Sequence, residues 1–302
     1  MAIQSPALDL PASASVKATK ASSARGYWQT VGRRLRRDPV TLICAGVLLL
    51  IVTAALAAPW LGLADPYKTS MIYRLKPIGT PRFFLGSDEL GRDMLARLIY
   101  GGRLSLFMGV TPVVCALRIG GLRGITAGFL GGRVNMFIMR VMDVFYAFPS
   151  VLLAISLSGA MGAGAENTLL ALTLVFIPPI CRVSESVTTQ VRGFDFVDAA
   201  KASGAGTLTI VRVHVLGNVL GPILVYATSL ISVAIILAAG LSFLGLGVKP
   251  PEPEWGLMLN TLRQAIYVNP VLAALPGVMI FITSICFNLM SDGLRAAMDV
   301  KA

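Results

Sequence analysis

The sequence predicts an all-α membrane protein with about six transmembrane helices, and its composition and its long uncharged segments are the observations that indicate this class. Of the 302 residues, 55% are hydrophobic and 14% are charged, whereas soluble domains are about 45–50% apolar and about 25% charged. An apolar helix of about 20 residues spans the hydrocarbon core and satisfies its own backbone hydrogen bonds. Segments 40–60, 167–181, 219–248 and 271–291 carry no charged residue, so each is a candidate span.

The N-terminal part is predicted to be a cytoplasmic tail, residues 1–39, that contains an interfacial helix. Apolar residues recur at helical spacing from Tyr27 to Leu35 beside several arginines, which is typical of a helix lying in the membrane interface. Residues 40–60 are predicted to be the first span, uncleaved because this run is longer than the apolar part of a signal peptide. A polar extracytoplasmic connection, residues 61–100, follows.

The transmembrane core is predicted over residues 101–291. Its spans are residues 104–130, 136–160, 168–181, 219–241 and 271–290, with a loop of residues 182–218 after the fourth span of the chain and a tail of residues 292–302 at the end. Six spans place both termini on one side of the membrane. The segments assigned to the cytoplasm hold more Lys and Arg than the others, so both termini are expected to be cytoplasmic.

Several prolines and charges inside these spans lead to further predictions. Pro149 is expected to kink the third span, and Pro178 with Pro179 to distort or end the fourth. Arg118 falls near the middle of the second span, where a lipid-facing charge is costly. We therefore predict that Arg118 lines a translocation pathway or pairs with an acid such as Asp143, the alternative being a locally irregular span.

A ridge of small residues is predicted on the second span. Gly120, Gly124, Gly128 and Gly132 recur every fourth residue, so on one helix they form a smooth stripe that lets a neighbouring backbone approach closely. We expect this stripe to pack inside the helix bundle.

Composition excludes several other functions. The net charge of +11 does not indicate nucleic-acid binding, because the basic residues lie between apolar segments and form no face with interleaved aromatics. The four cysteines are far apart and the single histidine is His214, so no metal site is predicted. The sequence contains no G-x-x-x-x-G-K-[ST] phosphate loop. If ATP drives this protein, ATP and Mg²⁺ are bound by a partner ATPase, and the chain itself is not an enzyme.

The loop of residues 182–218 carries the most informative pattern. Its distinctive residues are Asp198, Ala199, Ala200 and Gly204, followed by His214, Leu216, Gly217 and Asn218. Two short helices are predicted here with Gly204 at the break, where a residue without Cβ turns the chain. The small side chains of Ala199 and Ala200 leave a nearly flat helix surface that can pack closely into a groove of a partner protein. The alternative is an ordinary interfacial helix pair.

This pattern resembles the EAA loop of bacterial ABC importer permeases, with the spacing kept from Asp198 through Gly204 to Leu216. Two positions depart from that family, which usually has Glu where this chain has Asp198 and Pro where it has Gly217. Residues 85–106 and 241–256 are similar to the second permease subunit of dipeptide and oligopeptide importers. The family also carries an acid and a proline at the positions of Asp143 and Pro149.

The resemblance implies a type-1 ABC importer permease fold in the cell inner membrane, in which the loop couples the spans to a separate ATPase. It implies four kinds of partner: a second permease subunit, two ATPase domains, an extracytoplasmic solute-binding protein and the lipid bilayer. Di- or oligopeptides are the expected solutes, with nickel chelates, glutathione or another small solute as alternatives. A stand-alone secondary transporter or channel remains a distant alternative, and a membrane enzyme has few residues to use.

A charged stretch precedes the second span. Acids at Asp88, Glu89 and Asp93 alternate with Arg92, Arg97 and Arg103. On a helix these would form ion pairs four residues apart. A structural brace at the membrane surface is favoured over direct contact with solute.

Overall fold

The computed structural model describes residues 27–298, in which the chain forms eleven α-helices and no strand. The helices are α1 Tyr27–Leu35, α2 Pro39–Ala57, α3 Met94–Leu130, α4 Gly132–Tyr146, α5 Ser150–Met161, α6 Ala165–Arg192, α7 Asp195–Ala202, α8 Thr207–Ile210, α9 Leu216–Phe243, α10 Trp255–Thr261 and α11 Pro270–Met298. Five of the described helical segments are long and apolar enough to cross a membrane, and the bent pair α4 and α5 makes a sixth. The all-α class and the number of spans are therefore confirmed.

The long helices define two ends of the bundle. Residues 61–93, between α2 and α3, lie at one end, which we name the connection end. Helices α7 and α8 lie at the other, the loop end. Both α3 and α6 run from the connection end to the loop end, because Gly120 of α3 meets Ile177 of α6 and Gly128 meets Glu185.

The N-terminal helices pack beside α11. Asp38 caps α2 by accepting hydrogen bonds from the backbone N–H groups of Val40 (3.2 Å) and Thr41 (3.3 Å), and α1 and α2 both contact α11. The helix predicted from Tyr27 to Leu35 is present as α1. The rest of the predicted tail before residue 27, and residues 299–302, lie outside the described residues.

Helices α3 and α6 approach each other along a glycine stripe. A Cβ built on Gly120 would lie 2.6 Å from the carbonyl oxygen of Ile177, and one on Gly124 would lie 2.3 Å from that of Cys181. A Cβ built on Gly128 would lie 2.6 Å from the carbonyl oxygen of Glu185. Gly132 is wrongly placed in the predicted stripe, since it begins α4 with a φ of +51° and nothing within 4 Å of its Cβ position.

The third predicted span, 136–160, is two helices. Helices α4 and α5 meet at 83°, and the residues between them end at Pro149, whose φ of −55° and ψ of 125° are not helical. Proline supplies no N–H for the turn that it would continue. The expected kink is thus a complete break of the helix.

The fourth predicted span, 168–181, ends too early. Helix α6 continues through Pro178 and Pro179 to Arg192, so the prolines do not end it and the loop between spans starts eleven residues later than predicted. The polar residues after Cys181 suggested a loop. Instead, Ser184 and Thr188 are buried against the glycine stripe, and the Thr188 hydroxyl donates to the Ser184 carbonyl oxygen at 2.6 Å.

The second, fifth and sixth spans are longer than predicted. Helix α3 begins at Met94, ahead of the predicted residue 104, and α11 runs to Met298 through most of the predicted C-terminal tail. A single π-helical turn, Val211–Val215, joins α8 to α9. The predicted core limits therefore mark the apolar centres of the helices rather than their ends.

The glycine stripe predicts a position-dependent effect of alanine. Gly124→Ala places a methyl group against the backbone of α6, so we expect it to destabilise the protein by about 1–3 kcal/mol. Gly240→Ala is the control, because Gly240 lies in α9 with open space at its Cβ position and alanine favours a helix by about 0.5–1 kcal/mol. Thermal unfolding in detergent measures both. An unchanged midpoint for Gly124→Ala would contradict the close approach of α3 and α6.

Candidate functional site

The loop end presents a short helix, α7, that is fixed on one side and open on the other. Val197 is fully buried and Ala200 is nearly so, in a cluster that includes Ile210 and Val215. The opposite side of α7 is exposed. Gly204 follows with a φ of +81°, a conformation that favours glycine. The predicted pair of short helices with a break at Gly204 is present as α7 and α8.

Large apolar side chains beside α7 remain exposed. Leu208, in α8, is 79% exposed. Phe194 and Phe196 flank the start of α7 with ring centroids 5.8 Å apart, and both are exposed. Contiguous exposed apolar groups rimmed by polar residues mark protein-interaction surfaces. We name Phe194, Phe196, Ala199 and Leu208 the loop-end patch.

The other residues predicted for the loop lie in α7 and around the start of α9. Asp198 is exposed, and its carboxylate accepts from Lys201 Nζ at 2.9 Å. The His214 carbonyl oxygen accepts from Asn218 Nδ2 at 2.7 Å, across the start of α9. Leu216 and Gly217 begin α9, and nothing lies within 4 Å of a Cβ on Gly217. The glycine that replaces the usual proline therefore sits in open space.

The connection end contains a buried network of charges. Asp88 Oδ2 accepts from Arg92 Nε at 2.6 Å and lies 3.3 Å from Arg97 Nε. The Arg97 guanidinium also donates to the carbonyl oxygen of Pro66 at 2.9 Å. Arg92 further donates to Glu89 at 3.1 Å, and burial raises the pKa of Glu89. These contacts hold the residue 61–93 connection onto the start of α3.

Asp88 and Arg92 form the predicted ion pair four residues apart, but not on a helix. Residues 88–93 form a turn ahead of α3, and Asp93 caps that helix by accepting from the Ala96 N–H at 2.8 Å. Arg103 pairs with no acid among the described residues. It donates instead to the carbonyl oxygens of Ala55 (2.6 Å) and Leu56 (2.7 Å) at the end of α2. These charged residues brace the fold, but they do so through the turn before α3 and through the end of α2 rather than along one helix.

A buried carboxylate fastens the segment before α10 to α3. Glu254 caps α10 by accepting from the N–H groups of Gly256 and Leu257, each at 2.8 Å. It also accepts from the Ser105 hydroxyl of α3 at 3.2 Å. The buried Trp255 donates from Nε1 to the Leu98 carbonyl oxygen at 2.9 Å. Burial raises the pKa of Glu254, and its cap bonds oppose that shift.

The two predicted pathway residues do not meet. Asp143 accepts from the Arg182 guanidinium of α6, so the predicted pairing of Arg118 with Asp143 is wrong. Arg118 is exposed and makes no ion pair or hydrogen bond within residues 27–298. Arg182 was assigned to a loop, and only the continuation of α6 past its prolines brings it beside α4.

Two kinds of contributing residue could not be found by pattern alone. Because the fourth span was predicted to end at residue 181, nothing in the sequence placed Arg182 on a helix beside Asp143. Phe194 and Phe196 are separated by one residue, and that spacing does not tell whether they are buried. Within the described residues, no group of three or more His, Cys, Asp or Glu side chains is placed to hold a metal ion.

Comparisons with known proteins define the family. Residues 120–301, more than half of the chain, match the model described as the binding-protein-dependent transport system inner membrane component. Residues 26–77 match the N-terminal TM domain of oligopeptide transport permease C. The chain belongs to this family of multi-pass permeases of ABC importers, which confirms the resemblance found in the sequence.

Curated relatives cover most of the chain. The di/tripeptide transport system permease protein DppC of Pseudomonas aeruginosa is 44% identical over 259 residues, 84% of this chain and 86% of the relative. The glutathione transport system permease protein GsiD of Pectobacterium atrosepticum is 37% identical, over 92% and 93% of the two chains. The probable D,D-dipeptide transport system permease protein DdpC of Escherichia coli is 36% identical, over 95% and 94%.

A solved structure has the same fold. An inward-facing form of the MetNI methionine ABC transporter matches with a TM-score of 0.56 and 18% identity, over 68% of this chain and 97% of that one. At this identity the match concerns the fold alone. The predicted type-1 importer permease fold is therefore confirmed.

The charge network at the connection end predicts a large effect of one neutral substitution. Asp88→Asn leaves two buried guanidinium groups without their shared anion, and breaking a buried ion pair costs about 3–5 kcal/mol. We expect a marked fall in the thermal unfolding midpoint in detergent. Asp65→Asn is the matched control, since Asp65 is exposed and its amide replacement still accepts from the Tyr67 N–H. Equal midpoints for the two variants would refute the brace.

Proposed function

We propose that this chain is one of the two permease subunits of an ATP-driven, binding-protein-dependent importer of di- and oligopeptides. The observation that carries this proposal is its identity of 44%, over 84% of its length, to a di/tripeptide permease. The chain supplies half of the translocation pathway. A second permease supplies the other half, two ATPase domains bind ATP and Mg²⁺, and an extracytoplasmic binding protein delivers the solute.

The loop-end patch supports docking on a separate ATPase. Helix α7 is held by Val197 and Ala200, whereas its exposed side and the adjacent Leu208 are available to a partner. Closure of the ATPase dimer moves α7, and α6 carries that movement into the membrane because only two residues separate the two helices. ATP shifts the spans between two states to the extent that it binds one of them more tightly.

Orientation follows from this assignment. The loop end faces the cytoplasm, together with both termini, and the connection end faces the opposite side. The basic residues of α1, among them Arg33 and Arg34, then flank α2 on the cytoplasmic side, as the positive-inside rule requires. The braced connection end presents the surface for the binding protein.

Glutathione is the second candidate solute. The relative from Pectobacterium atrosepticum that carries a glutathione permease name is 37% identical over 92% of this chain. Glutathione is itself a tripeptide, so the two candidates differ in side chains and linkage rather than in class. The higher identity to the di/tripeptide permease favours ordinary short peptides.

Coupling is tested by placing a charge in the loop-end patch. We expect Leu208→Asp to lower co-purification of the ATPase at least tenfold, since losing about 1.4 kcal/mol of binding free energy corresponds to that factor. The exposed position of Leu208 leaves the fold intact. Ile72→Asp is the control, because Ile72 is 83% exposed at the connection end. Retention of the ATPase by Leu208→Asp would contradict docking at this patch.

Transport is tested in proteoliposomes that contain both permeases, the ATPases and the binding protein. We expect uptake of radiolabelled dialanine that requires ATP and the binding protein. Omission of either component is the control. Uptake by this chain alone without ATP would identify a secondary transporter instead.

A further inference from the structure

A cavity of about 350 Å³ opens at mid-height of the long helices. It lies at the break between α4 and α5 and is lined by Tyr146, Phe148 and Ser150. The α6 side is Pro178 and Pro179, the two central residues of that 28-residue helix. Leu230, near the centre of α9, also lines the cavity. The cavity therefore lies halfway along three spans.

An ion pair stands at the edge of this cavity. The Arg182 guanidinium, one helical turn beyond Pro178, donates to Asp143, one turn before Tyr146. The same guanidinium carbon lies 4.9 Å from the centroid of the Tyr146 ring. The side chains of Arg182 and Asp143 are 49% and 44% exposed, so neither is sealed inside this chain.

A half-exposed ion pair is better placed against protein or water than against lipid. Charged side chains in the hydrocarbon region are costly and face protein or a water-filled path. Non-helical backbone at this depth, here residues 147–149, is tolerated only under the same condition. A pathway shared with a partner permease, as in the proposed function, supplies such surroundings for both the cavity and the ion pair.

We propose that this cavity is a contact site for a zwitterionic short peptide in transit. The peptide ammonium group pairs with Asp143, its carboxylate pairs with Arg182, and its side chains enter the aromatic cavity. The volume lies within the range of about 300–1,000 Å³ usual for small-ligand sites. This inference rests on the proposed function, because it names the part of the pathway that contacts the peptide.

The ion pair between Arg182 and Asp143 lowers the affinity of this site for a peptide. A peptide must open the contact between Arg182 and Asp143 before it gains its own two contacts, so the protein's pair competes with the ligand. Passage requires binding that is weak enough to release the solute. A millimolar dissociation constant is expected.

The test is equilibrium binding of radiolabelled dialanine to the purified permease–ATPase complex without the binding protein. We expect saturable binding that N-acetyl-dialanine amide, which lacks both charges, does not displace. Asp143→Asn and Arg182→Gln should each weaken binding at least tenfold. Arg140→Gln is the control, since Arg140 is an exposed arginine one turn earlier on α4, and it should bind as the wild type does.

A second variant separates recognition from folding. Ser150→Trp fills the cavity without changing any charge, and we expect it to abolish binding while the complex keeps its size and its ATPase. No binding to the wild type, displacement by the blocked peptide, or unchanged binding in Arg182→Gln would each overturn the inference. ATP-driven uptake by the wild-type importer, measured in parallel, decides the proposed function independently of these results.

Discussion

The close approach of α3 and α6 is the constraint on which the rest of the structure depends. Gly120, Gly124 and Gly128 leave no room for a side chain against the α6 backbone. In a membrane, such contact replaces the hydrophobic effect as the source of helix association. It also explains why α6 continues through two prolines, since the helix is held on both sides of them by its contact with α3.

The functional elements at both ends are attached to this helix pair. At the connection end, the first turns of α3 hold the Asp88 network, and Ser105 holds Glu254. At the loop end, α6 leads directly into α7, and Phe129 of α3 helps to bury Val197. Chain connection and packing therefore link α7 to α6 and α3. This helix pair connects the surface proposed for the ATPase with the surface proposed for the binding protein.

The sequence predicted the elements whose physics is local. Apolar length was sufficient to predict that the spans exist. The spacing of glycines was sufficient to predict close packing inside the bundle, and the position of Gly204 predicted the turn after α7. Sequence prediction failed where tertiary packing overrides composition. Ser184 and Thr188 are polar enough to suggest a loop, yet they fill the narrow space beside the glycines. The same error assigned Arg182 to a loop, although it lies in α6, and led to the wrong partner for Asp143.

The exposed charges on these helices suit a surface that contacts protein or water rather than lipid. Arg118 and Arg123 are exposed on α3, and Arg182 is half-exposed on α6. Of these three, Arg182 has an acidic partner among the described residues. An arginine at such depth needs protein or water beside it rather than lipid. A second permease that encloses a water-filled pathway, as in the proposed function, would supply such surroundings for these arginines.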